Sequence, residues 1–329
     1  MSLRLEAPVF SRRGVLGVAA AAVLGACRGK PRDVLRLGFM TNLTHAPIIA
    51  GVATGRIEKA LGVRLETRPF RAGPRVVEAL IGDAIDVGTS GPSAIVFTHA
   101  RHGAGALRVL SGCCSGGASL VVTRGSSISG PQDLRGKTLA TPQIGTTQDI
   151  ALRKYLQQHG YAPAERGGEV TVHALDASTI LVEMKRGALD GAWLPEPWAT
   201  RTVIDANAVR LLDERDLWPA RRFPTALLVA RGPFARDRPD LTSRLVAALG
   251  DEVRRANESP SETRAAFNDE MGRAIGKRLP DKLLAEAWPF VDFTTDALPD
   301  ALDTIAADAA QLGLAPPTTC STLFANASP

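Results

Sequence analysis

From residue 34 onward the chain alternates short apolar runs with longer amphipathic ones, punctuated by Gly and Pro, and that rhythm leaves few folds open. Val34 to Phe39 predicts a strand and Thr41 to Pro47 a loop capping a helix that Gly62 ends. Val63 to Phe70 follows as a strand, Pro74 to Ile81 as a helix, Ala84 to Gly88 as a short buried strand and Ser93 to Ala100 as another helix. Strands separated by helices in this way stack as parallel βαβ layers. A second unit opens at Gly130, with strands over Lys137 to Thr141 and Val170 to Ala174 and helices over Thr147 to His159 and Ser178 to Arg186. Leu120 to Thr123 reads as an apolar strand crossing between lobes, Phe223 to Arg231 as the strand that returns, and the tail as helices starting at Pro239, Ser261, Pro280 and Pro299. The expected organisation is therefore lobe 1 over residues 34–119, lobe 2 over 120–222, and over 223–329 a return to lobe 1 with C-terminal helices. At 329 residues the chain has room for two lobes.

An internal echo points the same way. Ile81-Gly82-Asp83-Ala84-Ile85-Asp86-Val87-Gly88 matches Arg186-Gly187-Ala188-Leu189-Asp190-Gly191-Ala192 in pattern. In each, a helix stops at Gly and an aliphatic-Asp pair opens a strand of small residues that runs into a Pro-bearing loop. Two readings stand: a repeated lobe, or a generic helix stop used twice.

The first 27 residues read as an export signal. Ser11-Arg12-Arg13-Gly14-Val15-Leu16 is a twin-Arg pattern, the apolar run from Gly14 to Leu24 is too short to span a bilayer, and Leu24-Gly25-Ala26-Cys27 places small residues before a cysteine. The twin-Arg pattern points to Tat-dependent export, and the stretch resembles the bacterial lipoprotein signal, which implies lipidation of Cys27; the alternative is an ordinary signal peptide with an incidental Cys. Residues 28–33 would be linker, and the mature chain would sit outside the cytoplasm on a membrane tether.

Charge and composition narrow the partners. Aromatics make up 5% of the chain and the net charge of +5 is dispersed, so neither a base-stacking platform nor a nucleic-acid surface is expected. The four cysteines at 27, 113, 114 and 320 show no zinc or disulfide spacing, and His99 and His102, one helical turn apart, lack an acidic or Cys partner nearby. Gly130 to Thr138 fails the phosphate-loop pattern because five residues, not four, separate its glycines and a strand follows. No nucleophile, base and orienting group assemble in sequence, so no catalytic residue, metal or cofactor is expected.

What remains is a set of loops suited to anions. Thr141 to Asp149 joins a strand to a helix through Gly145, Thr146, Thr147 and Gln148, and a helix start presents unpaired N–H groups and partial positive charge. Ser90-Gly91-Pro92-Ser93 offers the same from the other lobe, Asn42 to Pro47 follows the first strand, and Ser115-Gly116-Gly117 adds a flexible backbone approach. Together with Ala72-Gly73-Pro74, Asp133-Leu134-Arg135-Gly136-Lys137 and Trp193-Leu194-Pro195-Glu196-Pro197-Trp198-Ala199, these motifs resemble, in order, the substrate-binding proteins of nitrate, aliphatic sulfonate, taurine and bicarbonate ABC importers, a family that includes thiamine-precursor binders.

The resemblance implies an α/β, type II periplasmic-binding-protein fold, two Rossmann-like lobes joined by two crossing strands and closing on the ligand. It implies a monomer that hands a small anionic or zwitterionic ligand to permease and ATPase subunits. Carried over by position, Asn42, Thr44, His45, Ser90, Gly91, Gly116, Gly117, Thr146, Thr147, Gln148 and Glu196 would line the cleft. Glu196 would repel a bare anion, so either it turns toward the hinge or the ligand carries a positive group. The alternative is a thiamine-precursor (pyrimidine) binding protein or a related enzyme using Cys113, Cys114 and His45.

Overall fold

A computed structural model describes residues 33–324; the export segment with Cys27 and most of the linker lie outside the described residues. The strands are β1 (Val34–Met40), β2 (Arg64–Phe70), β3 (Val87–Ser90), β4 (Leu107–Gly116), β5 (Ala118–Val122), β6 (Thr138–Thr141), β7 (Thr171–Ala174), β8 (Gly191–Pro195), β9 (Val209–Asp213), β10 (Pro224–Arg231) and β11 (Val291–Phe293). The helices are α1 (Ala46–Ala53), α2 (Arg56–Leu61), α3 (Gly73–Ile81), α4 (Pro92–His102), α5 (Thr147–Gln158), α6 (Ala177–Lys185), α7 (Trp198–Asp205), α8 (Gly232–Asp237), α9 (Pro239–Glu258), α10 (Pro260–Ile275), α11 (Asp281–Ala287), α12 (Pro299–Gln311) and α13 (Ser321–Phe324). They build a six-stranded sheet in the order β11-β4-β10-β3-β1-β2 and a five-stranded sheet in the order β7-β6-β8-β5-β9.

Both sheets are covered on two faces, which is why their inner strands are apolar runs with little alternation. In β1, Leu35, Leu37 and Phe39 are fully buried in one cluster with α1, α9 and α10. Between them Gly38 leaves room on the other face, where a Cβ would come 2.6 Å from Ile85 and 2.8 Å from Phe70. Each such aliphatic or aromatic side chain contributes about 1.5–3 kcal/mol by burial.

The two sheets repeat one topology. β1, β2, β3, β10 and β4 of the first occupy the places of β6, β7, β8, β5 and β9 in the second: β3 runs parallel to β1 and antiparallel to β10, and β8 parallel to β6 and antiparallel to β5. The sequence echo marks this repeat down to its hydrogen bonds. The Asp86 carboxylate accepts from the Arg36 amide at 3.0 Å while the Asp86 amide donates to the Arg36 carbonyl at 2.9 Å. Asp190 does the same to Thr138, at 2.8 Å and 2.8 Å. Each aspartate thus fixes the register of its strand against the first strand of its sheet.

The chain passes between the sheets twice. The first crossing is not the strand expected over Leu120 to Thr123, which lies within the second sheet, but the Gly116-Gly117 step between β4 and β5. Both glycines have positive φ, +71° and +79°. A Cβ at Gly117 would come 2.8 Å from Val291 and 3.1 Å from Thr44, and one at Gly116 2.8 Å from Arg215, so only glycine fits the step. The second crossing runs from β9 through short 3-10 turns over 214–221 into β10, beside the first: the Gly116 amide donates to the Phe223 carbonyl at 3.2 Å.

Candidate functional site

In both lobes a strand ends, the chain turns, and a helix starts; the repeat aims these starts at one cleft. Its volume is about 510 Å³, and its walls come from Met40 to Asn42 with Thr44 and His45 before α1, Arg71 to Pro74 at α3, Gly91, Ser93 and Ala94 at α4, Pro142, Gln143 and Thr146 to Gln148 at α5, Asp176 to Ser178 at α6, and Pro195 with Trp198 at α7. No side-chain cap bond occupies the starts of α1, α3, α4, α5 or α6. Three of their first-turn amides donate to carbonyls just ahead of the helix, Ala46 to Leu43, Arg75 to Ala72 and Asp149 to Thr146; the other helix-start N–H groups lack an intrahelical acceptor, so positive ends from both lobes face one space. The jaws meet where the Thr147 hydroxyl donates to the Ser93 hydroxyl at 3.4 Å.

Most of the expected residues come together here: Asn42, Thr44, His45, Gly91, Thr146, Thr147 and Gln148 line the cleft. Asn42 caps the turn before α1 by accepting from the Thr44 amide. His45 is 1% exposed, burial pushes its pKa down to about 3, and its Nδ1 has no hydrogen-bond partner. It is therefore a neutral imidazole with one polar atom unclaimed by the protein.

Four expected residues stand behind the wall. Ser90 is fully buried and its hydroxyl donates to the Gly73 carbonyl at 3.3 Å, so it braces the start of α3 while Ser93, one turn on, faces the cleft. Gly116 and Gly117 form the crossing step. Glu196 turns to the hinge: it is fully buried, accepts from Arg210 at 2.6 Å and from the Thr200 amide at 3.1 Å, and its own amide donates to the Gly117 carbonyl at 2.8 Å. Its carboxylate is an anion built into the start of α7. The Arg210 guanidinium, which also lies 3.5 Å over the Phe290 ring, balances it.

Sequence reasoning missed Arg71, Asp176, Ser178 and Lys277, and it reached Ser93 only as the end of the Ser90-Gly91-Pro92-Ser93 loop. The signal for Asp176 and Ser178 was present: the repeat maps Ala72-Gly73-Pro74 at α3 onto Asp176-Ala177-Ser178 at α6. Arg71 and Lys277 are exposed and make no ion pair among the described residues, whereas Asp176 is the acid on the opposite wall. Cys113 and Cys114 are 0% and 1% exposed, and burial pushes the Cys113 thiol up to about 12, so neither is positioned as a nucleophile. No cluster of three metal-ligating side chains occurs among the described residues.

Two lobes of repeated topology, two adjacent crossings and a cleft of helix starts define a type II periplasmic-binding fold, a class of solute-binding proteins. Within that class the chain belongs to the NMT1-like family, whose model matches residues 28–269. The taurine-binding periplasmic protein of Escherichia coli is 27% identical over 196 residues, 59% of this chain and 58% of that protein. The periplasmic aliphatic sulphonate binding protein SsuA of E. coli superposes with a TM-score of 0.77 at 18% identity, covering 91% of this chain and 94% of that one. The periplasmic nitrate-binding protein NrtA of Synechocystis superposes with a TM-score of 0.67 at 14% identity, covering 88% and 84%. All three are periplasmic binding proteins.

Proposed function

We propose that the protein is the exported, lipid-anchored solute-binding component of an ABC importer, closing its lobes on a small ligand that carries an oxyanion, with an aliphatic sulfonate, taurine or nitrate as the leading candidates. The observation that carries this reading is the convergence of uncapped helix starts from both lobes on one cleft. An oxyanion leaving water needs several charge-assisted hydrogen bonds, each contributing about 1.5–3 kcal/mol. Amides at α4 and α5 with the Ser93 and Thr147 hydroxyls provide them without a buried cation. Arg71 and Lys277 at the walls would draw the anion in. Asp176 favours a zwitterion, since its carboxylate is placed to meet an ammonium.

Calorimetry against sulfonates, taurine, nitrate, bicarbonate and thiamine precursors tests the reading. Thr147→Val and Ser93→Ala should each weaken the best oxyanion by about tenfold, with little change in Tm. Should only a thiamine precursor bind, or both variants bind the oxyanion like wild type, the proposal fails. Mass spectrometry of the mature N-terminus tests the anchor: Cys27 should be the first residue and carry acyl mass, and an unmodified N-terminus elsewhere would refute it.

A further inference from the structure

A second cavity, of about 490 Å³, opens along the flank of α5. It begins at Thr147, which also lines the cleft, and follows a helical stripe to Gln158, about 16 Å at 1.5 Å per residue. Its other walls are α12 with the loop before it, and the second crossing over 214–222. α12 packs on both α4 and α5, the helices whose starts form the opposing jaws. The cavity therefore lies in the seam between the lobes.

Its chemistry differs from that of the cleft. Trp218 and Tyr155 give it an aromatic wall, and its two basic side chains are already neutralised, Lys154 by Asp308 at 2.9 Å and Arg222 by Asp296 at 3.1 Å. Two lining carboxylates remain without a cation. Asp300 makes no ion pair among the described residues. Fully buried Glu214 accepts from neutral indole N–H groups, Trp193 at 2.6 Å and Trp218 at 3.4 Å. A cavity of this size holds a drug-sized molecule, and aromatic faces beside uncompensated carboxylates select a cation on an apolar body.

We infer that this seam cavity is a second binding site, separate from the cleft, for a small organic cation bearing an aromatic or aliphatic body. Burial of Glu214 pushes its pKa up to about 7, so at pH 8 the carboxylate is ionised and a cation seated there relieves its unfavourable charge; the measurements are made at that pH. The site is tested by calorimetry on the full chain with benzyltrimethylammonium as the probe and neutral benzyl alcohol as its comparator. Saturable binding of the cation, at least tenfold tighter than the alcohol, is expected. Asp300→Asn, on the surface, should weaken it about threefold or more with Tm unchanged, and Trp218→Leu more strongly. Glu214→Gln should abolish the preference over benzyl alcohol, and Asp300→Asn keeps the test decisive if that variant fails to fold. Equal affinity for probe and alcohol, no saturation up to about 10 mM, or loss of binding in Asp176→Asn rather than Asp300→Asn would each overturn the assignment.

Discussion

His45 and Glu214 carry opposite pH dependences. The His45 pKa lies near 3 in the fold against 6.5 ordinarily, so the unfolded chain takes up its proton first. The stability it contributes is whole above about pH 6.5 and drains as pH falls toward 3. Glu214 lies near 7 against 4.5 ordinarily, so the folded state holds its proton; stability is greatest below 4.5 and is lost as pH rises through 7. The His45 displacement, from 6.5 to about 3, is on the order of 5 kcal/mol, and that of Glu214, from 4.5 to about 7, on the order of 3 kcal/mol. Thermal melts from pH 4 to 8 should separate them. His45→Gln should lose less Tm than wild type on acidification from pH 7 to 4, and Glu214→Gln should lose less on going from pH 5 to 8. Parallel curves for wild type and both variants would sink this account. Neither burial was legible from the chain, because a His after Asn-Leu-Thr and a Glu after Leu-Leu-Asp look alike whether a neighbouring element covers them or not.

Elements were legible where local chemistry decides them. The Gly-to-Asp echo was visible because each aspartate bonds a neighbouring strand's backbone, which demands that residue at that point. β4 went unread because Gly112, Cys113, Cys114 and Ser115 are buried on both faces and show no alternation, and because its pairing with β10 and β11 is remote in sequence. The single helix expected to reach Gly62 is two, broken at Gly55 with φ +70°. The site was legible at helix starts and illegible where an acid could face either way, as Glu196 shows. It bonds the α7 start and Arg210, so Glu196→Ala should leave a half-buried guanidinium without its anion and cost about 3 kcal/mol or more in urea unfolding, whereas Glu196→Gln should cost less. A loss of ligand affinity with unchanged stability would return Glu196 to the cleft.

On the scale of the whole molecule, the lobes differ in how the chain supplies them. Every strand of the second sheet lies between Ala118 and Asp213, but the first sheet needs segments on both sides of that stretch, and β10, its late arrival, sits between β3 and β4. A chain ending at residue 222 should therefore keep slow hydrogen exchange in β5, β6 and β8 while β3 and β4 exchange fast; equal protection in both sheets would refute the inference. For a chain leaving the ribosome from its N-terminus, the consequence is a waiting period. More than a hundred residues separate the synthesis of β4 from that of β10, and throughout it the edges of β3 and β4 stand bare. The later half completes its sheet first, and the nascent earlier half is the part that needs shielding from other strands until residue 231 emerges.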